Sequence, residues 1–405
     1  MDFIYTCVDC GAEYTESAIM YRCPRCGGTE APGEMQKGNL KVYLDPDYLQ
    51  SLRDKPEVTA EDFMPYPIPY AETYPVGNTP LIAPARLREK TGYPRLLLKN
   101  DGMNPSGSFK DRASQLIAAQ ALYYGENTVT VASTGNAGSA MACAGAAYGL
   151  EIILFVPETA PENKLLQSVL YGTKVLPVRG TYDAAFSLAL DYTQKHGGIN
   201  RNTAFNPMTT EGKKSISIEL YNDLGGRAPD VVYVPTGDGV IYGGVYKGFY
   251  DLLTAGLIER MPRLVAVQSE KSNAISRAWK SGTMKTLDEA TTRADSISVA
   301  SPANGRMAVE YIDACGAYAL EVSDEAITAA QLELAAEAGA FVEPAAAAAW
   351  AGFLADRERL SPDEEAVVLL TGIGFKDMKA VTDAIALPES VDPDMKAGEQ
   401  RLGKS

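Results

Sequence analysis

Five short stretches of this sequence hold residue types that can do chemistry. Near its start, Cys7-x-x-Cys10 is followed after twelve residues by Cys23-x-x-Cys26. Two such knuckles bring four thiolates within reach of one tetrahedral ion, and zinc accepts an all-sulphur set at about 2.3 Å. Iron would take the same ligands, and disulfides are the alternative where the compartment is oxidising. Gly11, Gly27 and Gly28 follow the knuckles and let the backbone turn back toward the sulphurs. Four thiolates leave no open coordination position, so a metal here is structural. Cys143 and Cys315 sit in apolar runs and are expected in the core.

The second stretch is Asn104-Pro-Ser-Gly-Ser-Phe-Lys110-Asp-Arg112, which follows an apolar strand pattern and opens a helical one. Lys110 then falls in a first helical turn, where the helix dipole disfavours a cation. The same placement lowers an ammonium's proton affinity, as a lysine that bonds covalently to a carbonyl requires. A surface lysine beside a loop is the plainer reading. Third, Ser133-Thr134-Gly-Asn136-Ala-Gly brings two hydroxyls, a carboxamide and backbone amides to a helix N-terminus. That is a ready anion site, and a plain N-cap needs only one of those side chains.

Thr236-Gly237-Asp238-Gly239-Val240 follows the strand pattern DVVYVP. It matches neither G-x-G-x-x-G nor the G-x-x-x-x-G-K-[ST] loop. Its glycines still allow several amides to face one concavity, a nest for a phosphate. Asp238 must turn its carboxylate away from such a guest. Finally, Thr371-Gly-Ile-Gly ends the strand pattern AVVLL, where a hydroxyl can meet a ligand atom or merely close a turn. His196 is the one histidine, in the glycine-rich run KHGGIN, and a solvated loop position is expected. Hydrolase triads that need histidine as base, and zinc sites of the usual histidine-containing kind, are therefore disfavoured.

The elements around these stretches alternate. RLLLKN, TVTVAS, EIILFVP, TKVLPVR, DVVYVPTG, RLVAVQSE and AVVLLTGIG are nearly continuous apolar runs separated by helical patterns such as KDRASQLIAAQALYYG. That alternation predicts buried parallel sheets, and ligands bind outside the carboxyl ends of their strands. Residues 36–75, rich in Pro, Tyr and Asp, read as an extended arm with one short helix near Asp47–Arg53. The acidic residues after 388 read as a loose tail. With 405 residues and a net charge of −15, the chain is long enough for more than one domain and has no general basic field for nucleic acid or an anionic membrane. Thr128 to Leu150 carries no charge, yet it is built from Gly, Ala, Ser and Thr rather than the large apolar residues of a membrane span. No secretory pattern opens the sequence, and a soluble cytoplasmic protein is the expectation.

In their order along the chain, NPSGSFKDR, STGNAG, EGKKSISIE, VSDEAI, FVEPAAAAA and LLTGIGFKD resemble the fold-type II family of pyridoxal-phosphate enzymes and, within it, the threonine synthases. The resemblance runs from Gly77-Asn-Thr-Pro-Leu81 to Phe375-Lys-Asp377. It implies a two-lobed α/β fold like that of the tryptophan synthase β chain, with open parallel sheets and a small N-terminal zinc ribbon. The expected division is a ribbon at 1–35, the arm at 36–75, a large cofactor-binding domain at 76–110 and 215–387, a small domain at 111–214, and a tail at 388–405. Lys110 would hold pyridoxal 5'-phosphate covalently and move protons. Asn136 would meet the cofactor's phenolic oxygen, Gly237, Asp238, Gly239 and Val240 its phosphate, and Thr371 its ring nitrogen. Ser133 and Thr134 would face the substrate carboxylate. A homodimer and a small amino-acid substrate are also implied.

Four positions depart from the family pattern: Asp238 stands where asparagine is usual, Ala345 where serine is frequent, and two lie in the substrate-phosphate motif. Where threonine synthases carry an arginine for the substrate phosphate, in a motif like NPxRLEGQK, this sequence has Thr209, and Lys213 replaces the glutamine. Both are candidate substrate-binding residues. The expected reaction turns O-phosphohomoserine and water into threonine and phosphate. The departures motivate a β-replacing relative of the cysteate synthase kind or an amino-acid ammonia-lyase, and a non-enzymatic zinc-ribbon module is the third reading.

Overall fold

A computed structural model of the chain describes residues 2–15, 19–69, 74–385 and 387–403. Among the described residues thirteen strands form three sheets. β1 (Phe3–Cys7), β2 (Glu13–Thr15) and β3 (Leu40–Leu44) make a small antiparallel sheet in the order β2-β1-β3. β4 (Leu81–Ile82), β5 (Leu96–Asn100), β10 (Val231–Pro235), β11 (Arg263–Ser269), β12 (Ala319–Val322) and β13 (Ala366–Leu370) make a six-stranded sheet ordered β12-β11-β10-β13-β5-β4. Its strands are parallel except β4, which runs antiparallel to β5 at the edge. β6 (Thr128–Ala132), β7 (Glu151–Pro157), β8 (Lys174–Val178) and β9 (Ile199–Asn200) make a four-stranded parallel sheet ordered β8-β7-β6-β9. The chain is therefore α/β with open parallel sheets.

The central strands of both large sheets are buried on both faces, as the continuous apolar runs require. The alanine-rich helix Pro344–Asp356 packs flat on the six-stranded sheet. Val267 methyl carbons would lie 2.5 Å from a Cβ at Gly352, so side-chain-free contact sets that approach. The charge-free run Thr128–Leu150 becomes β6 and the helix Asn136–Tyr148, both inside the small-sheet layer. Among the described residues no helix is long and apolar enough to cross a membrane.

Residues 36–75 divide differently from a simple arm. LKVYL is β3, paired along its full length with β1, because four of its five residues are buried there. A helix at Pro46–Ser51 and a 3-10 turn at Leu52–Asp54 follow. His196 is exposed as expected, yet it ends the helix Tyr182–His196 rather than lying in a loop, and its ring rests 4.6 Å from that of Tyr192. The tail folds a short helix, Met395–Arg401, capped by Asp394 and with no buried residue. Cys143 is buried, and Cys315 is half-buried under the Tyr242 hydroxyl.

Candidate active site

Adjacency of β10, β13 and β5 brings three of the sequence motifs to one edge of the six-stranded sheet. β10 leads into Thr236–Gly239, β13 into Thr371, and β5 into the turn that carries Lys110. The Thr371 carbonyl accepts from Phe109 N at 2.9 Å, and the Gly107 carbonyl from Ile373 N at 3.0 Å, so the lysine loop is stitched to the threonine loop. Gly107 sits at φ +87° in that turn, a conformation only glycine adopts without strain.

Lys110 is the first residue of the helix Lys110–Tyr123. Among the described residues its Nζ has no hydrogen-bond or ion-pair partner. Burial pushes its proton affinity down and the charge of Arg201 adds to that, while Asp238 and Glu343 pull the other way. An amine so placed is shifted toward its neutral, nucleophilic form. Its neighbours are structural. Asp111 accepts from Ser106 and Tyr74, and burial raises its carboxyl to about 6. The Arg112 guanidinium is locked between Asp101 and Glu219.

The loop after β10 forms an amide nest. No acceptor among the described residues meets the N–H groups of Gly237, Asp238 and Gly239, and Gly239, at φ +88°, starts the helix Val240–Thr254. Asp238 turns its carboxylate onto Val240 N at 2.9 Å, capping the helix. Three unpaired amides at a helix N-terminus suit a phosphate, so the residues present fit a phosphorylated cofactor beside a lysine shifted toward its neutral form. Thr371 is buried at the neighbouring strand end, and its hydroxyl has no partner among the described residues.

The four-stranded sheet contributes the opposite wall. β6 ends at Ser133-Thr134-Gly135-Asn136. Asn136 Nδ2 donates to Glu343 Oε2 at 2.9 Å and to Ser296 Oγ at 3.3 Å, joining the two sheets. Ser133 Oγ accepts from Gly135 N at 3.2 Å, and Thr134, Gly135 and Asn136 line a cavity of about 230 Å³ with Glu343 and Lys376. Burial pushes the Glu343 carboxyl up, against the Asn136 hydrogen bond and the charge of Lys110. A larger groove of about 750 Å³ between the small antiparallel sheet and Tyr250 is lined by acidic, hydroxyl-bearing and apolar side chains and shares none of these residues.

Thr209 and Lys213 are both fully buried. The Thr209 hydroxyl is used within its own turn, donating to Asn206 O at 2.7 Å and accepting from Ala204 N at 3.2 Å. Among the described residues Lys213 Nζ donates only to the Thr209 carbonyl, at 2.8 Å. Burial lowers its proton affinity strongly, and the charges of Lys110 and Arg201 add to the effect. Sequence reasoning missed Arg201, Glu343 and Asn304. Glu343 had a signal, since it precedes an alanine-rich helix in FVEPA, whereas Arg201 in INRNTAFN has no pattern to mark it.

At the N-terminus, the Sγ atoms of Cys7, Cys10, Cys23 and Cys26 all lie within 4.8 Å of one another, and Cys10 and Cys23 are 3.8 Å apart. Bonds of about 2.3 Å in a tetrahedron give edges of about 3.8 Å, so the four sulphurs fit one such ion.

Residues 72–372 match the family model described as pyridoxal-phosphate dependent enzyme. The threonine synthase of Methanosarcina acetivorans is 35% identical, over 96% of this chain and 96% of that protein. That of Methanocaldococcus jannaschii is 32% identical over the same shares. Among solved structures, a fungal L-serine ammonia-lyase from Rhizomucor miehei superposes with a TM-score of 0.67 at 24% identity, covering 76% of this chain and 97% of the other. Threonine deaminase isoform 2 of Solanum lycopersicum gives 0.67 at 21% identity, covering 92% and 97%. Fold, site and relatives agree: this chain belongs to the pyridoxal-phosphate dependent enzyme family.

Proposed function

We propose that this protein is a threonine synthase, converting O-phosphohomoserine and water to threonine and phosphate. The observation that carries this reading is the meeting of Lys110, the amide nest and Asn136 at adjoining strand ends, in a chain alignable with threonine synthases over 96% of its length. Lys110 would hold pyridoxal 5'-phosphate covalently, with the amides of Gly237, Asp238, Gly239 and Val240 on its phosphate, Asn136 on its phenolic oxygen and Thr371 on its ring nitrogen. Val240 N must then exchange its bond to the Asp238 carboxylate for the phosphate.

When bound, the cofactor supplies an electron sink that makes the hydrogen on substrate Cα acidic. Ser133 and Thr134 orient the substrate carboxylate at the helix N-terminus. Lys110, shifted toward the neutral amine by its buried surroundings, would take the protons of Cα and then Cβ as phosphate leaves Cγ, and would return protons to Cγ and Cα as water adds its hydroxyl at Cβ. Lys213 and Thr209 line the far end of the substrate. Glu343 fixes the Asn136 carboxamide.

Around this centre, the four cysteines hold a structural zinc ion in a ribbon that β3 completes. A homodimer, a cytoplasmic location and the expected division into a large and a small lobe belong to the same reading, with β3 moved from the arm to the ribbon. Release of phosphate with formation of threonine from O-phosphohomoserine by the cofactor-loaded enzyme tests it, and no turnover by fully loaded enzyme rejects it.

Thr209 favours a second reading, because a hydroxyl tied into its own turn does not replace a bidentate guanidinium. A β-replacement or an ammonia-lyase reaction on a different amino acid would need no such group. Turnover of phosphoserine with sulfite, or of serine or threonine alone, at rates above that with O-phosphohomoserine would establish it.

A further inference from the structure

Arg201 is the most expensive unexplained side chain in the site. It follows β9, whose neighbour β6 ends in the Ser133–Asn136 loop, and its backbone N donates to Thr130 O at 2.8 Å. The guanidinium is fully buried, yet among the described residues its only hydrogen bond runs from Nη1 to Thr203 Oγ1 at 2.6 Å. Nε and Nη2 are buried donors without an acceptor, and no carboxylate lies within ion-pair distance among the described residues. The other buried arginine among the described residues, Arg112, is paired with Asp101 and Glu219. A guanidinium stays charged and presents a planar donor fork that suits phosphate.

The surrounding loop holds it in place. Asn202 Oδ1 accepts from Ala132 N at 2.7 Å, Asn206 Nδ2 donates to Asn200 O and Gln120 Oε1, and Ala204 is held at φ +64°. A non-glycine residue in that region is strained and persists only where its surroundings over-determine it. Asn202 Nδ2 is a further buried donor with no acceptor. Lys213, fully buried and also without a carboxylate, feels the charge of Arg201. Arg201 and Lys213 are thus two buried basic side chains with no carboxylate at ion-pair distance among the described residues, and Asp238 is an anion whose charge both feel.

We propose that Arg201, together with Lys213, is the anion subsite that receives the phosphate monoester of the substrate, replacing the guanidinium missing at Thr209. This rests on the phospho-amino-acid reading above. The cofactor's own phosphate is the other source of the same chemistry. It is served by the amide nest after β10, on the six-stranded sheet, whereas Arg201 and Lys213 follow β9 of the other sheet.

The test uses cofactor-loaded enzyme, so that the nest is filled, and titrates inorganic phosphate by calorimetry in wild type, Arg201→Gln, Arg201→Lys and Lys213→Gln. KM and kcat for O-phosphohomoserine and the Kd of pyridoxal phosphate are measured beside it. We expect phosphate binding weakened by at least about tenfold in Arg201→Gln, partly restored in Arg201→Lys, with KM rising in step and kcat changed less. The cofactor Kd should stay within about twofold. Unchanged phosphate affinity in folded Arg201→Gln overturns the proposal, as does a loss confined to the cofactor Kd. Should Arg201→Gln not fold, Lys213→Gln reads the same constants, and no change there overturns it equally. Wild-type enzyme that binds phosphate through Arg201 but does not turn over O-phosphohomoserine rejects the threonine synthase reading and leaves the anion subsite standing.

Discussion

Asn39 Nδ2 donates to Asn304 Oδ1 at 3.0 Å, and Asn304 N donates in turn to Asp238 O at 2.9 Å. Two residues therefore connect the four-cysteine unit to the amide nest. Asn39 immediately precedes β3, its carbonyl accepts from Val8 N, and the Cys23 amide is held by Gly38 O. Asn39 also donates to the Ala303 carbonyl at 2.8 Å, and both asparagines are buried. Anything that loosens the cysteine unit is felt one hydrogen bond from the nest.

Asn39→Ala should consequently weaken binding of pyridoxal phosphate by about three- to tenfold, the scale of one or two lost buried hydrogen bonds. Reconstitution of apoenzyme, followed by absorbance, measures it. Chelation of metal from the cysteines should act in the same direction. An unchanged Kd in both would show that the two units are independent.

Asp238→Asn keeps an oxygen to accept from Val240 N but removes a negative charge beside the three free amides. Cofactor affinity should rise, by about three- to tenfold for the removal of one nearby like charge in a partly exposed setting. The same titration checks it, and weaker binding would mean that the carboxylate orders the loop.

The Arg112 network sets a pH limit on stability. Burial alone would raise the Glu219 carboxyl, yet the charges of Arg112 and Lys99 hold it down to about 2. A depressed carboxyl stabilises the fold fully above its ordinary value of 4.5 and loses that contribution as pH falls from 4.5 toward about 2. Glu219→Gln should flatten this acid limb in urea unfolding. Arg112→Met should cost about 3–5 kcal/mol at neutral pH, because it strands the buried Asp101 without its cation and leaves Glu219 with Lys99 alone.

Lys213 has the opposite sign. Its folded-state proton affinity lies well below the ordinary 10.5, so between those two values the unfolded chain binds the extra proton and stability rises with pH. Replacing it with methionine should stabilise the apoenzyme at neutral pH by about 1–3 kcal/mol while impairing turnover. The stability gain over wild type should shrink as pH approaches 10.5 in denaturant melts. A destabilised Lys213→Met apoenzyme would contradict this.

Much of the site was legible because its parts are local. Lys110 opens its helix, Asn136 opens the next, and Gly239 starts a third, each placed by turn and strand chemistry within a few residues. Cys7, Cys10, Cys23 and Cys26 announce themselves by spacing alone. Strand-helix alternation also implied the parallel sheets, since a strand buried on both faces must be apolar throughout.

Other features depended on contacts between distant segments. Strand order decided that β10, β13 and β5 lie side by side, although their sequence positions are far apart. LKVYL became part of the cysteine unit only by pairing with β1. Thr209 and Arg201 exchanged significance once folded: the hydroxyl closes its own turn, whereas the unremarkable arginine is buried with two donors unmet. Residue type and spacing determine which groups are available and what local backbone carries them. Whether a buried donor finds its acceptor depends on segments up to hundreds of residues away, and that only the tertiary structure decides.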